Sequence, residues 1–295
     1  MIQRAYKMRF SEIAVQIKDA CDWLESLGVN ASGTRIGKYR RMCLALANGS
    51  LFGHQIVLRK SSETDEFVNL FYETLQFLRI SEQLKTLQNS DLIERLKHAV
   101  RGCYDYVNER EPRAGRDFAF ELSMGAHLLD AGYEPSFQGP ADLSTVVTGE
   151  SIVFECKRVK SARQIPRLVA DALTQLSTRF KSDPSLWGVV AIAIDKCVNP
   201  TLQLIDGAAL EELGTRSRVL VNDFINKHRR HWQRDAIDAR TIGVMIVHDA
   251  PAIDLSTHSV VVLRQTGVDR LQANSRAGQP LLTLISTSAF NVHQC

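Results

Sequence analysis

Residues 141–159 read ADLSTVVTGESIVFECKRV, two runs rich in Val, Ile, Thr and Phe on either side of Thr148-Gly149-Glu150-Ser151. β-Branched and aromatic side chains suit a pleated, half-buried surface, and glycine supplies the backbone angle that a tight hairpin turn needs. The spacing therefore predicts a hairpin with strands over 141–147 and 151–159. Side chains alternate along a strand, so Val153, Glu155, Lys157 and Val159 share one face. Closing a two- or four-residue loop pairs Val147 with Ile152, which sets Ser144 opposite Glu155 and Asp142 opposite Lys157. Residues directly opposite point the same way, so Asp142, Glu155 and Lys157 converge on one patch. A three-residue loop would slip the register by one and disperse them.

Two opposite charges between valines are costly to bury unless they are paired or coordinate a metal. A lone Glu-x-Lys is more often a structural ion pair than a site, and the arrival of Asp142 changes that balance. Upstream, Glu121 lies in line with Phe118, Gly125 and Leu128 on a helix expected over 117–131, beside the apolar stripe of Leu122, Ala126 and Leu129. Its two readings, a fourth site carboxylate and a tilted surface position, stand even.

Three carboxylates and a lysine on one patch suit phosphodiester hydrolysis. A hard divalent cation such as magnesium is held by one or two carboxylates plus waters and phosphate. It lowers the pKa of a bound water and offsets charge building on the phosphoryl oxygens. Lysine adds a compact positive charge that can orient the water or steady the transition state.

Working outward, the hairpin sits in an α/β pattern. After the helix ended by Gly132, 133–137 is expected as a short strand, 162–181 as a helix, and the apolar run 186–195 as a buried strand. A long helix follows and ends in a basic run near Trp232, then strands over 241–248 and 259–264. The first hundred residues instead show helical spacing four times: Ile13, Ile17, Cys21, Leu24; Ile36, Tyr39, Cys43, Leu46; Phe67, Phe71, Leu75, Leu78; and Leu92, Leu96, Ala99, Cys103, Val107. Residues 108–116 (NEREPRAGR) are charged and hold Pro and Gly, so the boundary is expected there. The expectation is an all-helical domain over 1–110 and a mixed-sheet α/β domain over 111–295.

These segments resemble the PD-(D/E)xK superfamily, the restriction-endonuclease-like nucleases. The resemblance is carried by FAFELSMGAHLLDAGYEP (118–135), PADL (140–143), IVFECKRVKS (152–161), ALTQLSTRF (172–180) and WGVVAIAID (187–195). It implies a restriction-endonuclease-like αβββαβ core and a nuclease dependent on Mg2+ or Mn2+, with DNA the expected substrate. Position by position, it makes Asp142 and Glu155 the principal metal ligands, Lys157 the catalytic lysine and Glu121 the helix carboxylate that completes the metal set. Gln175 is similar to a glutamine that some members place on the helix after ExK, and an ordinary exposed glutamine fits as well. Ala141 separates Pro140 from Asp142, a departure from the literal Pro-Asp pair.

Arg158, Lys160, Arg163 and Arg167 cluster after the ExK strand, where they can track a phosphate backbone or serve as a solvated helix start. The run 227–234 (KHRRHWQR) suits nucleic-acid contact, although basic residues also favour helix C-termini. Net charge is only +3, so any nucleic-acid surface must come from such clusters. The helical half is expected to bind DNA, a protein partner or a second copy of the chain. Gly33 to Lys38 (GTRIGK) is one residue short of a phosphate-binding loop.

Six cysteines without a CxxC pair argue against a zinc site or a disulfide framework. The N-terminus is polar and basic rather than signal-like, and the run 187–194 falls far short of the ~20 residues that cross a bilayer. A cytoplasmic protein without a membrane partner is expected.

Overall fold

The computed structural model describes residues 3–7, 10–48, 62–87, 89–109, 115–207, 209–233, 237–254 and 259–271. Cys295 and Arg234 lie outside the described residues, as do 110–114 of the expected linker.

The hairpin forms as β2 (Leu143–Val147) and β3 (Glu150–Arg158), antiparallel. β3 then runs parallel to β4 (Trp187–Ala193), and β4 parallel to β6 (Thr241–Asp254). β6 folds back as β7 (Ser259–Arg270), which pairs antiparallel with β1 (Gln3–Lys7) at the far edge. The order across the sheet is β1-β7-β6-β4-β3-β2, with β5 (Ile205–Gly207) pairing to the distal part of β6. The sheet is mixed, with parallel strands at its centre.

Alternation along β4 explains the layers. Val190 and Ile192 face α6 (Ile165–Ser182) and α8 (Leu210–His228), which bury Val169, Leu176, Phe180, Val221 and Ile225 against them. Val189 and Ala191 face the other way, onto a core built with α1 (Phe10–Ser26), α2 (Arg35–Ala47), α3 (Ser62–Leu84), α4 (Ser90–Ala99) and α5 (Gly115–Asp130). A strand covered on both faces has no polar side to show, which is why the run is apolar throughout. A short α7 (Asp195–Val198) caps β4.

Five expectations are revised. The first hundred residues are not all helical, because β1 extends the sheet. Nor do they form a separate core: Ile17, Leu75 and Leu96 belong to the same apolar cluster as Phe154, Ala191 and Met245. The boundary region is tied down, with Glu109 and Arg116 both buried. The expected strand over 133–137 is reduced to a single bridge between Ser136 and Ser144. α4 ends at Ala99, leaving Cys103 and Val107 beyond it. Among the described residues, no helix is long and apolar enough to cross a membrane.

Candidate active site

The turn between β2 and β3 is Thr148-Gly149, with φ of 52° and 83°. Positive φ at both central positions is the two-residue turn that matches strand twist, and it fixes the register. Val147 pairs with Glu150 and Leu143 with Phe154, so the next pair outward sets Asp142 beside Glu155. The expected Val147–Ile152 pairing is therefore wrong by two residues. Because side chains repeat every two residues, an even slip keeps every side chain on its face. The convergence survives, with Asp142 aligned on Glu155 instead of Lys157.

Lys157 Nζ lies 3.5 Å from Asp142 Oδ2 and 3.6 Å from Glu155 Oε2. Asp142 Oδ2 also accepts the Cys156 N–H at 2.8 Å, which ties it to β3. Glu121 approaches from α5, close enough for the charge of Asp142 to raise the cost of ionising Glu121. Segment 137–142 is seated against α5 at Gly125, where an added Cβ would lie 2.5 Å from Phe137 Cζ. A glycine at this point lets the chain carrying Asp142 come close to the helix carrying Glu121.

Two arginines complete the cluster. Arg95 of α4 forms an ion pair with Glu121 and donates to the carbonyls of Ala141 at 3.2 Å and Phe137 at 3.4 Å. Arg179 of α6 sits with Nε 3.4 Å from Glu155 Oε1 and donates to the carbonyl of Pro140. Sequence reading passed over both. Arg179 lies inside the quoted ALTQLSTRF, four residues after Gln175, and that spacing on one helix face was the available signal. Arg95, between Leu92 and Leu96, looks like any helix-surface arginine.

Burial first, and Asp142 second, push the Glu155 carboxyl up to about 7. The same two causes in the same order push Glu121 up to about 8. Both Glu155 oxygens are buried and, among the described residues, have no hydrogen-bond donor. Such a group wants a cation, and oxygen donors are what Mg2+ or Mn2+ takes. Among the described residues no three His, Cys, Asp or Glu side chains are gathered at metal-ligand spacing, yet one or two carboxylates with waters suffice for this ion. Asp142 and Glu155 fit that role, with Glu121 adjacent.

Gln175 lies one turn before Arg179 on α6, its Oε1 buried and without a partner among the described residues. The four basic residues expected to track phosphate separate. Arg158 is buried, its guanidinium donating to both oxygens of Glu109 at 2.9 and 2.7 Å, so its job is inside the protein. Lys160 Nζ lies 3.3 Å from the same Glu109. Arg163 and Arg167 are exposed, and Arg167 pairs with Asp171. The basic run near Trp232 is partly internal too, since buried Trp232 and Arg229 both donate to Asp269.

No family model, curated protein or solved structure matches this chain. What the cluster can do must be argued from its own chemistry.

Proposed function

We propose that this protein is a nuclease dependent on Mg2+ or Mn2+ that hydrolyses phosphodiester bonds, with DNA as its substrate. The observation that carries the proposal is the meeting of Asp142, Glu155 and Lys157 at the open end of the β2–β3 hairpin, with Glu121 beside them. The succession α5, the Ser136 bridge, β2, β3, α6, β4 supports the restriction-endonuclease-like core that the sequence resembles.

Asp142, the most exposed of the three carboxylates with 24% of its side chain open, and buried Glu155 would hold the ion. When bound, the ion supplies a more acidic water and charge stabilisation at the phosphoryl oxygens. Lys157 lies between the two ligands, where its ammonium can orient the attacking water. Buried Glu121, close enough to feel the charge of Asp142, would widen the negative site. Exposed Arg163, in the turn before α6, and exposed Arg167 on α6 would meet a phosphate backbone.

The test is a cleavage assay on single- and double-stranded DNA and RNA with Mg2+ or Mn2+, comparing the native chain with Asp142→Ala and Lys157→Ala. Metal-dependent cleavage of DNA that both variants abolish is the expected result. Undiminished cleavage in both overturns the assignment. One observation favours a second reading, a non-catalytic nucleic-acid- or partner-binding protein. Every carboxylate of the cluster already faces a lysine or arginine, so the charges balance without a metal. Absence of both cleavage and metal binding would favour it.

A further inference from the structure

The cluster holds three carboxylates, Glu121, Asp142 and Glu155, and three cations, Arg95, Lys157 and Arg179, each within ion-pair distance of at least one carboxylate. We infer that Arg95 and Arg179 are resident counter-cations that exchange the site's carboxylates for the substrate's phosphodiester when metal enters. The inference rests on the nuclease reading above.

Charge counting leads to it. With all three carboxylates ionised the site is neutral, and a divalent ion adds two positive charges to a poorly solvated place. A phosphodiester brings one negative charge and an attacking hydroxide another, which restores neutrality. An excess charge in a partly buried site is expensive, so metal and phosphate should each be held weakly alone and tightly together.

Geometry points the same way. Arg179 faces one oxygen of Glu155 and Lys157 the other, so an ion reaching that carboxylate meets positive charge on both sides. Neither grips the carboxylate closely: Lys157 Nζ stands 3.6 Å from Glu155 Oε2 and Arg179 Nε 3.4 Å from Oε1, beyond good hydrogen-bond length, and that buried Nε–H has no acceptor among the described residues. Both arginines also donate to the backbone of 137–141, the segment leading into Asp142. Those carbonyl bonds keep each guanidinium at the mouth of the site once its carboxylate turns to a metal. A planar fork of donors is suited to grip a phosphate there.

The inference gives the helical part of the chain a direct duty. Arg95 comes from α4 and reaches the site carboxylate on α5, so the helices build the substrate end of the site rather than a remote module.

The experiment titrates Mn2+ into the full chain, followed by electron paramagnetic resonance, with and without a duplex DNA oligonucleotide carrying phosphorothioate linkages. Native protein, Arg179→Gln, Arg179→Lys and Arg95→Gln are compared, each with its unfolding midpoint and its cleavage rate on unmodified DNA. Removing one positive charge is expected to tighten Mn2+ binding without DNA about three- to tenfold, as loss of a like charge at short range does. The same variants are expected to lose most of the strengthening that DNA brings, and to cleave about tenfold or more slowly at saturating Mn2+. Arg179→Lys should return Mn2+ affinity to the native value and recover part of the rate.

A merely structural arginine gives a different pattern, with metal affinity, midpoint and rate falling together. That result overturns the inference, as does Mn2+ affinity unchanged in both glutamine variants. If either glutamine variant fails to fold, Arg179→Lys and the other site carry the test. Native protein that binds Mn2+ and cleaves, with unaltered variants, sinks this inference alone. Native protein that binds no Mn2+ sinks the nuclease reading with it.

Discussion

Two charged clusters in this protein behave in opposite ways. One joins Glu73 to Arg35 and Arg116, Glu109 to Arg158, and Asp249 to Arg264, all buried. The other is the hairpin-end site. In the first, burial opposes ionisation, yet Arg116 and Arg35 hold the Glu73 carboxyl below its ordinary range, and Arg158 with Arg116 does the same for Glu109. At the site, burial and a neighbouring carboxylate win, and Glu155 and Glu121 are pushed up to about 7 and about 8.

The difference is one of geometry rather than composition. Glu109 takes both oxygens to one guanidinium at 2.9 and 2.7 Å, whereas Glu155 has cations at 3.4 and 3.6 Å and no hydrogen bond among the described residues. Short charge-assisted contacts from one guanidinium nitrogen to both oxygens satisfy a carboxylate, and loose ones leave it in want of a ligand. Asp195 crosses the divide. It belongs to the internal network, but burial and then Asp249 raise it to about 7. Its Oδ1 still accepts the Asp249 N–H at 2.8 Å.

The largest test of this contrast is functional. Lys157→Ala should lower DNA cleavage by about a thousandfold or more while moving the unfolding free energy by less than ~1 kcal/mol, because loss of a transition-state charge is costly only to the reaction. A steady-state assay beside a urea melt reads both. Next, Arg158→Ala should leave Glu109 without its closest cation and cost about 3–5 kcal/mol in the same melt, the range for breaking a buried pair. If Arg158→Ala instead left stability intact and weakened DNA binding, the internal role drawn for it would be wrong.

Acidity separates the clusters further. Glu121 and Glu155 keep protons in the folded chain that the unfolded chain releases near the ordinary 4.5. Their contribution to stability is therefore largest at acid pH and falls as pH rises from about 4.5 through about 8. Glu73 and Glu109 have lowered carboxyls, so their contribution is present above the ordinary range and lost as pH falls through their folded values. Denaturant melts at pH 5 and pH 8 should show a smaller loss across that interval in Glu121→Gln than in the native chain. Glu73→Gln should be destabilised most at the higher pH.

The smallest effect is expected at the exposed start of α6 and the turn before it. Arg163→Ala with Arg167→Ala should change stability by less than ~0.5 kcal/mol, as exposed substitutions do. DNA affinity should fall a few-fold, with a shallower salt dependence, since phosphate contacts release counterions. Titrations of DNA at two salt concentrations decide this.

Much of this was legible in the sequence where local rules suffice. The face shared by Glu155 and Lys157 follows from alternation alone, and β4 from an apolar run bounded by turns. The hairpin was seen but its register missed, because Thr148 adopts φ of 52° and lets the turn close one pair earlier. Nothing local marks a threonine for that conformation. Other features were hidden because distance in sequence conceals them. β1 lies over two hundred and fifty residues from its partner β7. Glu109 looks like linker charge until Arg158 folds onto it. Arg95 acquires meaning only when α4 docks on α5. The one even-numbered slip did no harm to the site, whereas an odd one would have removed it.

The account turns on whether the hairpin-end carboxylates hold a divalent cation. Calorimetric titration of Mg2+ or Mn2+ into the native chain and into Glu155→Ala tests that most directly. A saturable site in the native protein, lost in a variant that still unfolds cooperatively, is the predicted result. No metal-dependent heat in the native protein, or an identical site in Glu155→Ala, would contradict it.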